Sequence, residues 1–220
     1  MTEGFVDPYV DPETGVLRNL IGAKTYDELQ NAEGEFVAIR MSELFQSELP
    51  HVTGSLDDFC FLHRVLFRDI YAWAGETRRV EIRKNVEQSE FFLPSANISM
   101  GFSWSQAELA RDDFLKGLES VDRFCERLAY HFDNYNFIHP FREGNGRTQR
   151  LFWTLLCHEA GYDLDWRMVS GEENDEASRL AAEDRDYAAL IGIFRRIAVP
   201  CNAALPLNIG LLGPGHLPAK

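Results

Sequence analysis

Residues 139–150 have the sequence HPFREGNGRTQR and separate two stretches of helical periodicity. Pro140 and the two glycines exclude a continuous helix, so we predict a loop that leads directly into a helix from about Arg147. Unpaired backbone N–H groups then converge where the helix dipole is positive, which favours binding of an anion. Arg147 and Arg150 are three residues apart and share a helix face, where they repel each other. The segment therefore indicates a ligand with several negative charges.

Two further side chains of this loop can take part in chemistry. Glu143 directly precedes the glycine segment, where its carboxylate is placed to hold a Mg²⁺ that bridges two phosphates. An unperturbed histidine side chain has a pKa of about 6.5, so the imidazole of His139 can accept a proton near neutral pH. A base, a metal carboxylate, an anion site and two arginines are the components of phosphoryl or nucleotidyl transfer. Phe141 is predicted to anchor the loop in the core.

The composition is that of an ordinary globular protein, with 220 residues of which 45% are hydrophobic and 26% charged. This length fits one compact domain with short appendages. The formal net charge of −13 would repel a nucleic-acid backbone, so nucleic acid is not an expected partner. A single nucleotide is compatible with this charge, because a helix N-terminus and a few local cations are enough to hold it.

The N-terminal segment and the cysteines bear on the location of the protein. The N-terminal segment is neither basic nor apolar, and no run of about 18 apolar residues occurs, so neither a signal peptide nor a membrane partner is expected. The cysteines lack metal-ligand spacing and are interpreted as reduced core thiols. We therefore expect a cytoplasmic protein, with secretion as an effector as an alternative. The cysteines are Cys60, Cys125, Cys157 and Cys201.

The hydrophobic pattern predicts helices with a single hairpin between them. A capping box at Thr25 begins the first helix, which runs to about Gln46, and Ser55 begins the second. Alternation of apolar and charged residues over 80–93 predicts the hairpin. Helical periodicity resumes from about Ser95 and continues, with interruptions, until shortly before Pro200.

The loop resembles the Fic motif, HxFx[D/E]GNGRxxR, and matches it at every fixed position. Residues 62–78, LHRVLFRDIYAWAGETR, resemble the Fic helix that leads to a Trp-Ala-Gly turn. Residues 7–19 are similar to the start of bacterial Fic toxins of the FicT type. The resemblance implies an all-α Fic fold with one β-hairpin flap. It divides the chain into an N-terminal arm and helix (1–54), a Fic domain (55–197) and an irregular C-terminal tail (198–220).

The resemblance also implies a role for each motif residue in a protein adenylyltransferase that uses ATP and Mg²⁺. His139 would deprotonate a Tyr, Thr or Ser hydroxyl of the target protein, and Glu143 would bind Mg²⁺ on the α- and β-phosphates. The anion nest would be formed by Gly144, Asn145 and Gly146. The β- and γ-phosphates would be held by Arg147 and Arg150, with pyrophosphate leaving.

The flap is the segment that, in this family, aligns the target protein by strand addition. Lys84 and Asn85 on it are candidates to contact the nucleotide or the target. Two alternatives stay open: a Fic enzyme with another nucleotide donor, such as UTP or CDP-choline, and a catalytically silent interaction module. A structural role is the alternative for Arg150, and it is the role expected for His63 and His131.

Control by a second protein is a further implication of the resemblance. Many Fic proteins have an inhibitory helix, [S/T]xxxE[G/N], whose Glu pairs with the second motif arginine, here Arg150. Glu followed by Gly or Asn occurs at Glu3, Glu33, Glu143 and Glu173, but Ser or Thr never stands four residues earlier. We therefore expect a toxin–antitoxin arrangement, in which a small antitoxin-like protein supplies the inhibitory Glu.

Overall fold

The computed structural model describes residues 6–83 and 92–201, and within them the chain folds into seven α-helices and one small sheet. This confirms the predicted all-α fold class. The helices are α1 Tyr26–Phe45, α2 Leu56–Phe67, α3 Ile98–Arg111, α4 Val121–Ile138, α5 Asn145–Glu159, α6 Gly171–Asp184 and α7 Ala188–Ile197. The strands are β1 Tyr162–Leu164 and β2 Ala198–Pro200. No helix in these ranges combines the length and the apolar character that crossing a membrane requires.

The helix starts follow the predicted capping residues. Thr25 and Ser55 both form capping boxes, at the starts of α1 and α2. Ser120 and Ser170, which precede stretches of helical periodicity and are N-cap candidates by residue type, accept hydrogen bonds from the first turns of α4 and α6. Helix α5 differs, because it begins after Gly144 without a side-chain cap.

Helix α5 is the centre of the fold. Eleven of its fifteen residues are buried, which places it among other elements on all sides. It packs against α2 and β1, while α4 packs against α3 and α7. Phe59 of α2 stacks on Tyr135 of α4 with ring centroids 5.3 Å apart, and burial of a Phe side chain contributes about 1.5–3 kcal/mol. The N-terminus of α5 is therefore held by a rigid core.

The structure differs from the sequence-based prediction in two respects. The helical periodicity that resumes near Ser95 predicts a helix through Leu118, but the helix ends at Arg111, because residues 113–115 adopt positive φ values of 48–65° and break it. Ala198–Pro200 pairs antiparallel with Tyr162–Leu164, so the first residues of the predicted irregular tail form a strand. The two strands are far apart in sequence, and neither one alternates over enough residues to give a signal.

The predicted hairpin over 80–93 stays a prediction, because residues 84–91 lie outside the described residues. Its two ends approach each other: the backbone N–H of Phe92 donates to the carbonyl of Ile82 at 3.2 Å. The N–H of Leu93 donates to the carbonyl of Phe137 at 3.0 Å, which attaches this base to the end of α4. The segment therefore starts and ends beside the glycine-rich loop.

Candidate functional site

The loop starts where α4 ends, at Ile138. His139 follows with φ 46° and ψ 64°, a left-handed conformation that turns the chain, and Pro140 disfavours helix in the residue before it. The His139 Nδ1 lies 3.2 Å from the carbonyl oxygen of Asn136. Because a carbonyl can only accept, Nδ1 carries the proton in the neutral ring, which leaves the lone pair on Nε2.

The imidazole of His139 is also fixed by stacking. The ring of Phe92, at the far end of the flap segment, lies parallel to it with centroids 3.7 Å apart and planes at 8°. The backbone hydrogen bond and this stacking hold the ring in one orientation, with the basic atom defined. That arrangement is the one a general base requires.

Phe141 anchors the loop as the sequence predicted, with none of its surface exposed. Its ring stacks on the imidazole of His63 with centroids 3.9 Å apart. His63 Nε2 donates to the carbonyl of Glu143 at 3.0 Å, and its Nδ1 accepts from the N–H of Gly75 at 2.8 Å. Burial lowers the pKa of His63 to about 3, so this ring is neutral. The expected structural role of His63 is confirmed: it joins the loop to the turn after α2.

Asn145 closes the loop on itself. Its side-chain amide accepts from the N–H of Phe141 and donates to the carbonyl of Phe141, both at 2.8 Å. The side chain is thus used by the protein, and only the backbone N–H of Asn145 can contribute to an anion nest. The first N–H groups of a helix lack acceptors in that helix, and no described side chain caps α5.

The two motif glycines have different surroundings. Gly144 has φ 81°, and a Cβ there would lie 2.5 Å from the ring of Phe67. Gly146 is exposed, and among the described residues a Cβ there would meet only Arg150 Nη1, at 3.5 Å. Gly144 is required by backbone conformation and packing, whereas Gly146 leaves the start of α5 open to a ligand.

Glu143 lies at the edge of this nest with its side chain 25% exposed. Its Oε1 accepts from the N–H of Gly144 at 2.8 Å and lies 3.4 Å from Arg147 Nη2. Its Oε2 has no protein partner among the described residues. A carboxylate oxygen next to an anion nest fits the preference of Mg²⁺ for oxygen ligands.

The two motif arginines differ in their counter-ions. Arg147 is buried, and its Nη2 donates to Glu33 Oε2 of α1 at 2.5 Å. Its guanidinium also lies over the ring of Phe67, 4.7 Å from the centroid. Arg150 is half-buried, and its guanidinium has no hydrogen bond or ion pair in the described part of the chain. Burial and the neighbouring Arg147 lower the pKa of Arg150 to about 10, so it remains a cation at neutral pH without a paired anion.

Sequence reasoning missed two residues that organise the loop. Glu33 was considered only as an inhibitory Glu for Arg150, but it pairs with Arg147. Arg78 is 2% exposed, and its Nε donates to the carbonyl of His139 at 2.9 Å. Its other nitrogens donate to the carbonyls of Val80, at 2.8 Å, and of Leu93. Arg78 therefore joins both ends of the flap segment to the loop.

The remaining candidates from the sequence are the flap residues. Lys84 and Asn85 lie outside the described residues, so their part in the site stays a prediction. The other candidates, from His139 to Arg150, come together around the start of α5. This convergence follows from their positions in one short loop and one helical turn.

Comparison with known proteins relates this arrangement to a family. Residues 53–157 match the model of the Fic/DOC family. The chain is 41% identical over 178 residues to "Protein adenylyltransferase VbhT" of Bartonella schoenbuchensis, a match that covers 80% of the chain but only 36% of that protein. It is 34% identical over 190 residues to "Probable protein adenylyltransferase Fic" of Salmonella typhimurium, covering 86% of the chain and 91% of that protein.

A solved structure has the same fold. The N-terminal Fic domain of a putative cell filamentation protein from Bartonella quintana, with bound ADP, superimposes with a TM-score of 0.75 at 25% identity. The match covers 87% of this chain and 94% of that one.

Proposed function

The chain belongs to the Fic/DOC family, and from this membership and the geometry of the loop we propose that it is a protein adenylyltransferase. It transfers AMP from ATP to a Tyr, Thr or Ser hydroxyl of a target protein and releases pyrophosphate. One observation supports this most: a histidine fixed with its lone pair on Nε2 lies next to an uncapped helix start and to Arg150, which forms no ion pair among the described residues. The names of the relatives agree with this activity.

Each functional group of the site has a defined role in the proposed reaction. His139 Nε2 takes the proton of the target hydroxyl while the hydroxyl oxygen forms a bond to the α-phosphorus. The bond between the α-phosphorus and the bridging oxygen breaks, and its electrons leave with pyrophosphate. The backbone N–H groups at the start of α5 and the guanidinium groups of Arg147 and Arg150 stabilise the charge on the phosphates. A Mg²⁺ held by Glu143 would neutralise part of that charge.

The choice of ATP rests on its polyphosphate. The exposed Gly146 lies beside Arg150, which forms no ion pair among the described residues, and this supports binding of a terminal phosphate to Arg150. The structure of the Bartonella quintana domain contains ADP, which agrees with an adenine nucleotide. These contacts concern phosphates, so donors with other bases are the alternatives that an assay has to test.

Two protein partners complete the proposal. The target docks by strand addition to the flap, whose ends Arg78 fixes beside His139. An antitoxin-like protein supplies a Glu to Arg150, since no described carboxylate forms an ion pair with this guanidinium. Glu33 does not take that role, because it is paired with Arg147.

The experiment is a donor panel. The purified chain is incubated with a cell lysate, Mg²⁺ and each of four α-labelled nucleoside triphosphates in turn. We expect label in a protein band from ATP and much less from the others. Equal or stronger labelling from UTP, GTP or CTP would contradict AMP transfer, and no labelling from any donor would favour the silent module.

A further inference from the structure

Glu33 occupies a position in α1 that an apolar residue would be expected to fill. Leu29, Glu33, Val37 and Met41 follow one another at four-residue spacing on the same helix face, and all of them are buried. Glu33 is only 2% exposed. A buried carboxylate in an apolar stripe is costly, and replacing a buried ion pair by apolar residues is often neutral or stabilising. Packing alone therefore does not explain Glu33.

The two oxygens of Glu33 are bound from opposite sides. Oε1 accepts from the hydroxyl of Tyr71, a residue 1% exposed in the turn after α2. Oε2 accepts from Arg147 Nη2 at 2.5 Å. Burial and the nearby Glu143 raise the pKa of Glu33, whereas Arg147 and the Tyr71 hydroxyl lower it; the net direction is upward. Tyr71 is itself held by stacking on Trp73, with centroids 4.2 Å apart.

The guanidinium of Arg147 is thus held at one nitrogen and one face. Nη2 is bound to Glu33, and the face lies over Phe67. Nε and Nη1 have no hydrogen-bond partner among the described residues and remain available as donors. An arginine whose orientation is already fixed loses less conformational freedom when it binds a phosphate.

We infer that Glu33 is a positioning residue, which together with Tyr71 orients Arg147 toward the β- and γ-phosphates of the nucleotide. This inference rests on the proposed function, because it requires that Arg147 bind those phosphates. The inference also gives the two arginines different roles. Arg147 is fixed before the nucleotide binds, whereas Arg150 receives its counter-ion from the nucleotide or from an inhibitor. Glu33 acts through Arg147 and does not touch the reacting atoms.

The test compares Glu33→Gln with Glu35→Gln. Both substitutions remove one negative charge from α1, but Glu35 is exposed. Calorimetry measures binding of ATP and of AMP to each variant, and a labelled-AMP assay measures kcat and KM. We expect Glu33→Gln to weaken ATP binding about tenfold or more and to lower kcat, while AMP binding stays within about twofold. Glu35→Gln should behave as the unsubstituted chain.

The comparison of ATP with AMP distinguishes positioning from general damage. AMP lacks the phosphates that Arg147 would bind, so a distorted site would lose AMP and ATP binding together, and that result would overturn the inference. Unchanged ATP binding and kcat in Glu33→Gln would also overturn it. Increased activity would do so as well, since it would mean that Glu33 competes with the phosphates for Arg147.

Tyr71→Phe provides a second variant if Glu33→Gln does not fold. It removes one hydrogen bond to Glu33 and keeps the ring packed, so we expect the same selective loss of ATP binding, smaller in size. Unchanged ATP binding would then contradict the inference. If the unsubstituted chain itself binds ATP no better than AMP and transfers no label, the proposed function fails first. If the unsubstituted chain is active and the Glu33→Gln and Tyr71→Phe variants bind ATP and transfer AMP as well as it does, only the role of Glu33 is overturned.

Discussion

Gly144→Ala tests the claim that the anion nest is built by close packing of the loop on α2. An alanine at φ 81° carries a conformational cost of about 1–2 kcal/mol. Its Cβ would also lie 2.5 Å from the ring of Phe67 and 3.2 Å from His63 Nε2. Such overpacking typically costs about 1–3 kcal/mol more. We therefore expect Gly144→Ala to lower the free energy of unfolding by about 2–5 kcal/mol.

Gly22→Ala is the matched control, because it separates the conformational cost from the clash. Gly22 has φ 74°, but no atom of the described part of the chain lies within 4 Å of an added Cβ, so we expect the conformational cost without the clash. Urea unfolding of both variants measures the difference, which we expect to be about 1–3 kcal/mol in favour of Gly22→Ala. Equal losses in the two variants would refute the argument that Phe67 and His63 determine the position of the loop.

Three further predictions concern chemistry and pH. His139→Ala should reduce the transfer rate by about 10²-fold or more and retain ATP binding, because a general base acts in the transition state. The control His51→Ala, at an exposed histidine, should leave the rate unchanged. Full activity of His139→Ala in a labelled-AMP assay would show that His139 is not the base. Glu143→Ala, or EDTA with the unsubstituted chain, should abolish transfer, since metal and carboxylate act together; transfer that persisted in excess chelator would refute the metal assignment. The pKa of His63 is about 3 in the folded chain and about 6.5 in the unfolded chain. Between about pH 6.5 and pH 3, therefore, the imidazole is protonated only in the unfolded chain, and the free energy of unfolding falls as the pH falls. Urea unfolding should show that this group lowers the free energy of unfolding by about 2 kcal/mol between pH 7 and pH 5, and that this loss is absent in His63→Gln. An equal pH dependence of the two proteins would contradict the neutral state of His63.

The parts of the site that were predictable from the sequence are local in the chain. Pro140, the glycines and the arginines lie within one short segment, so their chemistry follows from spacing and helix geometry alone. The helix starts were predictable for the same reason, because a cap such as Thr25 and its partner Glu28 are three residues apart.

The contacts that hold the site are distant in sequence, and spacing gives no sign of them. Glu33 meets Arg147 across 114 residues, and Arg78 meets His139 across 61. A charged residue in the apolar series of α1 was the available signal for Glu33, but it identifies an unusual residue and not its partner. His63 was correctly expected to be structural, yet its contact with Glu143 required the packing of α2 against α5.

Transfer of the α-phosphate to protein is the most direct test of the central claim. The chain and its His139→Ala variant are each incubated with a cell lysate, Mg²⁺ and ATP labelled at either the α- or the γ-phosphate. Lysate without the chain measures the labelling due to its own kinases. In excess of that background, we expect label from α-labelled ATP only, and only with the unsubstituted chain. Label from γ-labelled ATP that depends on the added chain would indicate phosphorylation by it. Equal α-label with His139→Ala would mean that the proposed base is not required. Either result would contradict the proposed AMP transfer.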